Sequence, residues 1–212
     1  MCIRDRLLTV SSHGYKNNNS FLGDQAKWGV LIDSLSNLLL DRDADGVDIN
    51  FENLPYLKRG SFNRFIEELR KRLNQKLGTK TPIISLTLTA VYSREIFDIK
   101  DLQKSVDLFV IMGYDYNTGP QLQGAVAPLL PFESKNISLN TTLKYYIDAG
   151  IDASKTVLAL PYYGSMWEGN IGEGGATSSM FERKVTYREI MSIFNDEFVT
   201  KNNLSPTLEK NS

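Results

Sequence analysis

At 212 residues, 42% of them hydrophobic and 23% charged, the chain is long enough for one sizeable core and has an ordinary globular composition. A formal net charge of -1 gives no reason to expect nucleic acid or an anionic membrane surface as a partner. One cysteine, Cys2, and one histidine, His13, exclude an internal disulfide framework, a cysteine-built metal cluster and a two-histidine zinc site.

In chain order, the opening Met-Cys-Ile-Arg-Asp-Arg is followed by no apolar stretch long enough for a signal peptide. Residues 1–6 are expected to be a scar or assembly artefact, and 7–212 one partial catalytic domain. No apolar run approaches the ~20 residues of a membrane helix. Residues 7–11 predict a short buried strand. From 24 to 40, Trp28, Leu31, Leu35, Leu38 and Leu39 fall at near-helical spacing. Residues 46–52 alternate as a strand. A helix is predicted from an N-cap at Ser61, with Phe62, Phe65, Ile66, Leu69, Leu73 and Leu77 on one face and Gly78 as its stop. Strands follow at 83–91, 108–114 and 156–160, with a helix at 138–149 closed by Gly150. Thr186-Tyr187-Arg188-Glu189 has the form of a capping box and opens a last helix.

Strands alternating with helices imply βαβ units and a parallel sheet. The segments 115–137 and 162–184 are rich in Gly with Pro, Gln or Ser and are expected as long loops after strand ends, where barrel enzymes place their chemistry. No linker divides the chain. Five strands are predicted, whereas a closed eight-stranded barrel typically takes about 250 residues.

Asp45-Gly46-Val47-Asp48-Ile49-Asn50-Phe51-Glu52 carries the most information. Val47, Ile49 and Phe51 alternate with Asp48, Asn50 and Glu52, so a strand sets the three polar groups in one row. On a surface sheet that row faces water; in a βαβ protein with both faces covered it is buried or lines a cleft. Two carboxyls and an amide side by side favour keeping one carboxyl protonated, as a general acid requires. The stretch Asp41-Arg42-Asp43-Ala44-Asp45-Gly46 with Glu52 also fits the calcium-loop spacing of an EF-hand. Against calcium, Asp48 stands where that loop places an apolar residue, no second hand follows, and the alternation is that of a strand.

Residues 45–52 resemble the Asp-Gly-x-Asp-x-Asp-x-Glu motif of family 18 glycoside hydrolases, chitinase-like enzymes, at all but one position. Three further matches follow that family's order. Val10-Ser11-Ser12-His13-Gly14 resembles its third-strand Ser-x-Gly-Gly, with His13 departing. Met112-Gly113-Tyr114-Asp115 resembles the sixth-strand Met-x-Tyr-Asp, and Leu160-Pro161-Tyr162-Tyr163-Gly164 the seventh-strand Pro-x-Tyr-Gly. The resemblance covers roughly residues 7–195. It implies an α/β fold, a TIM (β/α)8 barrel truncated at both ends, from the third to the seventh strand.

The resemblance also implies a retaining, substrate-assisted hydrolysis of β-linked N-acetylglucosamine glycans, an exception to the two-carboxylate scheme. Glu52 is then the general acid and base, and Tyr114 positions the substrate's acetamido oxygen. Asp48 steadies the polar row. Met112 and Asp115 line the −1 sugar site, and Asp45 is counted with the substrate-binding residues. Asn50 replaces the usual aspartate, which weakens charge stabilisation of the oxazolinium. Tyr116, Tyr162, Tyr163 and Trp167 are candidates to stack on sugars or simply to pack. Trp28 is expected in the core. His13 reads as a packed loop residue, and the basic run Arg70, Lys71, Arg72 has no binding role. No cofactor or metal is expected, nor nucleic acid or a membrane span; the partner is an N-acetylglucosamine glycan, the state monomeric, the setting extracellular or cell envelope. A catalytically weak glycan-binding lectin on the same barrel is the competing function, because Asn50 stands where an aspartate is usual. The fragment by itself is also open to being inactive, since the last barrel strand and its tryptophan are not matched.

Overall fold

The computed structural model describes residues 5–78, 81–90, 96–117, 124–131, 137–172 and 175–193. They form two compact units, Met1–Met112 with Leu143–Ala159 and Gly113–Thr142 with Leu160–Ser212. No helix among the described residues is long and apolar enough to cross a membrane.

The first unit is built on five parallel strands in sequential order: β1 (Leu7–His13), β2 (Gly46–Glu52), β3 (Ile83–Thr89), β4 (Leu108–Met112) and β5 (Thr156–Ala159). Between them run α1 (Tyr15–Leu22), α2 (Gln25–Asp41), α3 (Arg59–Leu77), the single turn α4 (Ile99–Leu102) and α5 (Leu139–Asp148), whose first residues belong to the second unit. The parallel sheet is the one expected. Among the described residues it is open, with β1 and β5 each paired on one side only, and not a closed barrel.

Parallel register fixes which side chains share a face. Val10 pairs with Ile49, Ile49 with Leu86, and Leu86 with Phe109, which aligns one apolar row. That row meets α2 and α3 in a core that includes Leu35, Leu39, Phe62, Phe65 and Leu69. Phe51 stacks on Phe65 with ring centroids 5.9 Å apart, and Phe21 meets both edge-on. Aromatic side chains bury the most area per residue, so this cluster pins the C-terminal end of β2 from behind. A cavity of about 590 Å³ lined by Val10, Phe21, Val30, Leu31 and Phe51 lies on this same helix-covered side.

Trp28 is 4% exposed, as its helical position predicts, and its indole Nε1 donates to the Phe21 carbonyl at 2.9 Å. Trp28→Phe keeps most of the packing but removes the indole donor, leaving the Phe21 carbonyl to backbone N–H groups such as that of Asp24 at 3.2 Å. It is expected to cost about 1–2 kcal/mol in urea unfolding. A change below about 0.3 kcal/mol, within the noise of neutral surface substitutions, removes the bond's importance.

Arg70 and Arg72 of the basic run on α3 make structural contacts. Arg70 donates to the carbonyls of Ser105 and Pro82 and pairs with Asp107, while Arg72 and Lys76 pair with Asp33 on α2.

In the second unit, β6 (Tyr163–Gly172) and β7 (Gly175–Thr186) form an antiparallel ribbon followed by α6 (Tyr187–Ile193). Most of this segment was expected as loop. Its Gly- and Ser-rich sequence lacks the alternation that marks a strand, and ladder bonding supplies the order instead. The capping box at α6 is present. Thr186 N–H and Oγ1 both donate to Glu189 Oε2, and Glu189 N–H returns to Thr186 Oγ1. These bonds, foremost the backbone one, and then Arg183 hold the Glu189 carboxyl below its ordinary range.

Candidate active site

β2 carries its polar row on the face of the sheet away from the helices. Asp48, Asn50 and Glu52 are half-buried, while Val47, Ile49 and Phe51 between them are buried. The physical cause is the period of two: once Phe51 is locked into the aromatic cluster, its neighbours must point the other way. By register the polar face continues through Thr9, Ser11 and His13 on β1. On β3, Ser85, Thr87 and Thr89 join it, the last beside Met112 at the end of β4. The row is neither fully buried nor a free surface; it lies on the less covered face of the sheet.

Within the row each residue has a different environment. Asp48 accepts from the Thr87 hydroxyl at 3.2 and 3.4 Å, which steadies its carboxyl without a cation. The Asn50 side-chain oxygen is buried and has no hydrogen-bond partner among the described residues. A buried acceptor left open costs free energy and marks a place where a donor from outside fits. Glu52, at the C-terminal end of β2, has its Oε1 3.4 Å from His13 Nδ1, with side chains 34% and 60% exposed respectively. The backbone turns sharply at once, Asn53 taking φ 57°, a left-handed conformation that asparagine tolerates.

Two residues that sequence reasoning passed over shape this end. His13, expected as a packed loop residue, is the last residue of β1 and is exposed beside Glu52. Asn18, fully buried on α1, donates to the Glu52 carbonyl at 2.5 Å and accepts from the Ser12 hydroxyl at 2.7 Å. A polar residue so deeply buried is retained only with its bonds made, and these tie the ends of β1 and β2 together.

Asp45 does not join the row. It precedes β2, and a rise of ~3.3 Å per residue puts it at the opposite end of the strand from Glu52. Its carboxylate accepts from the Arg6 backbone N–H at 2.8 Å. The same separation removes the calcium-loop geometry, since Glu52 cannot close on Asp41, Asp43 and Asp45 across an extended strand. Among the described residues no group of acidic, histidine or cysteine side chains is placed to hold a metal ion.

In the second unit Asp115 takes φ 62° and accepts from the Tyr163 hydroxyl at 2.6 Å and from Lys184 Nζ at 2.7 Å. The Lys184 ammonium also lies 4.7 Å above the Tyr163 ring, and the Tyr114 ring meets Tyr163 edge-on. Burial first, then the bond to Asp115, pushes the Tyr163 hydroxyl well above its ordinary range, so it stays a donor at all physiological pH. Tyr116 is 2% exposed and its hydroxyl donates to Thr142 Oγ1 at 2.8 Å. Trp167 meets Phe181 edge-on, and Tyr162 is 90% exposed.

Comparison with known proteins shows the family. The model of glycosyl hydrolases family 18 matches residues 6–210. The chitinase-like protein Idgf5 of Glossina morsitans morsitans is 30% identical over 171 residues, covering 65% of this chain and 39% of that protein. Class V chitinase CHIT5 of Lotus japonicus is 24% identical over 182 residues, covering 78% and 46%. The Group IV chitinase of Ostrinia furnacalis, solved in complex with allosamidin, matches in fold with a TM-score of 0.73 at 19% identity, covering 88% of this chain and 58% of that one. The chain spans less than half the length of the curated relatives it matches. A family match over nearly all of its residues, on a parallel α/β sheet, shows that the chain belongs to glycosyl hydrolases family 18.

Proposed function

We propose that the protein hydrolyses β-linked N-acetylglucosamine glycans of the chitin type by a retaining, substrate-assisted route with Glu52 as general acid and base. The observation that carries this is the polar row of β2. Glu52 stands at the C-terminal end of a parallel strand, half-buried, with the unpartnered Asn50 oxygen two residues before it on the same face. Parallel α/β enzymes bring substrates to this end of their strands.

Glu52 gives its proton to the glycosidic oxygen while the substrate's N-acetyl carbonyl attacks the anomeric carbon. The C–O bond to the leaving sugar breaks and an oxazolinium ion forms. Water then attacks the anomeric carbon, Glu52 takes its proton, and the N-acetyl group is restored. The net change is one glycosidic bond hydrolysed, with the acid returned to its starting state. The Asn50 oxygen accepts the acetamido N–H in this scheme and Asp48, held by Thr87, steadies the row. The roles of Met112, Tyr114 and Asp115 are carried from the family motif and not from geometry.

Turnover of a fluorogenic chitooligosaccharide by the complete gene product, with Glu52→Gln as control, tests the proposal. Equal rates in the two proteins overturn it.

Asn50 favours a second reading, a glycan-binding lectin. The amide accepts the same hydrogen bond as a carboxylate but brings no negative charge to the oxazolinium. Asn50→Asp is therefore expected to raise kcat, by roughly tenfold if the restored charge is worth ~1.4 kcal/mol in the transition state. An unchanged or lower rate counts against that role, and chitooligosaccharide binding without turnover in the parent protein selects the lectin.

A further inference from the structure

We propose that His13 is a positioning residue for the acid, holding one oxygen of Glu52 so that the other carries the proton; this rests on the assignment of Glu52 above. The sequence signal was weak, since His13 and Glu52 lie far apart in the chain. The parallel register makes them direct neighbours, His13 opposite Glu52 at the C-terminal ends of β1 and β2. Residues paired in a parallel ladder project to the same face, and here Nδ1 and Oε1 lie 3.4 Å apart.

Both strand ends are held from behind. Asn18 bonds the Glu52 carbonyl and the Ser12 hydroxyl, and Asn17 donates to the His13 carbonyl at 3.4 Å. Gly14 follows with φ 104°, a conformation that suits glycine and turns the chain into α1. The imidazole and the carboxyl therefore hang from two clamped backbones. Among the described residues the Glu52 carboxyl has no other hydrogen-bond or ion-pair partner.

The chemistry follows from which ring nitrogen bears the proton. A neutral imidazole protonated at Nδ1 donates to Oε1 of Glu52 whether that group is acid or carboxylate. The reacting proton then resides on Oε2, leaves from it in the first half of the reaction and returns to it in the second. His13 neither gains nor loses a proton, so its contribution is orientation. At 3.4 Å the contact is longer than a good hydrogen bond, and contacts of this kind commonly tighten when substrate binds.

His13 is the only histidine, so its ring nitrogens are assigned in a 15N-histidine NMR spectrum without further labelling. In this chain the neutral ring is expected as the Nδ1–H tautomer, reverting to Nε2–H in Glu52→Ala. Nε2–H in the parent chain overturns the proposal, and this arm needs no turnover. In the complete gene product His13→Ala is expected to lower kcat about tenfold with KM unchanged, the scale of one charge-assisted hydrogen bond. His13→Asn, whose Nδ2 stands the same number of bonds from Cα as Nδ1, is expected to restore kcat to within about twofold of the parent. Equal rates in parent and His13→Ala, no rescue by asparagine, or a change in KM alone each overturn the role. If Glu52→Ala keeps its turnover, the acid assignment fails instead, and the tautomer result separates the two failures.

Discussion

Glu52→Gln is expected to lower kcat on a chitooligosaccharide by at least about a thousandfold, within the range that a positioned general acid contributes. The amide matches the carboxyl in shape but can neither deliver a proton to the leaving oxygen nor take one from water. Both halves of the proposed reaction use this one group, so no second carboxylate compensates. KM is expected to change little, because the interaction lost is made in the transition state and not with the bound substrate. The fold is expected to survive: the side chain is one-third exposed and the anchors of β2 are Phe51 in the aromatic cluster and Asn18 on the Glu52 carbonyl. Unfolding free energies of the two proteins are expected to agree within about 0.5 kcal/mol. Steady-state kinetics beside denaturant titration checks both parts. A variant that keeps more than a tenth of the parental kcat would falsify the acid assignment.

Much of the site was legible because it lies on one strand. The alternation from Val47 to Glu52 depends only on the period of two, and the structure repeats it residue for residue. The helix from Ser61 was legible by its apolar stripe, although it starts at Arg59 after a short 3-10 turn. What escaped was nonlocal or unpatterned. α1, for which no element was predicted, spells Tyr-Lys-Asn-Asn-Asn-Ser-Phe-Leu and has no apolar stripe to announce a helix. Besides Leu22 it buries Asn18, whose partners lie on β1 and β2. The neighbour of Glu52 is likewise chosen by strand register, a long-range property that spacing along the chain does not encode. Asp45 is adjacent to the row in sequence, and strand rise sets it at the far end of β2, where it accepts from the Arg6 N–H. Replacement of the motif's aspartate by Asn50 was visible at once; that its oxygen has no partner in the fold was not.

The glycine that opens this strand has a steric and not a conformational reason to be there, and Gly46→Ala is expected to be severely destabilising. A Cβ at residue 46 meets the Ile83 carbonyl oxygen at 2.0 Å, its carbon at 2.7 Å and its nitrogen at 2.8 Å. All three are backbone atoms of β3, so no side-chain rotation relieves the clash. The strands must part where β2 begins, next to the bond from Ile83 N–H to the Asp45 carbonyl at 2.9 Å. Overpacking a core position costs about 1–3 kcal/mol when side chains can yield; here the backbone must, and a loss of at least about 3 kcal/mol is expected. Because Asp48 is held from β3 by Thr87, the same displacement disturbs the polar row. Gly60→Ala in α3 is the matched control. Its added Cβ meets only the flexible end of Arg64 at 3.7 Å, and alanine is expected to stabilise the helix by up to about 1 kcal/mol. Urea titration of both variants distinguishes the causes. A loss at Gly46 below about 1 kcal/mol, the centre of ordinary point substitutions, shows that β2 and β3 can separate without penalty, and the tight approach of the two strands is then not what requires glycine at the head of β2.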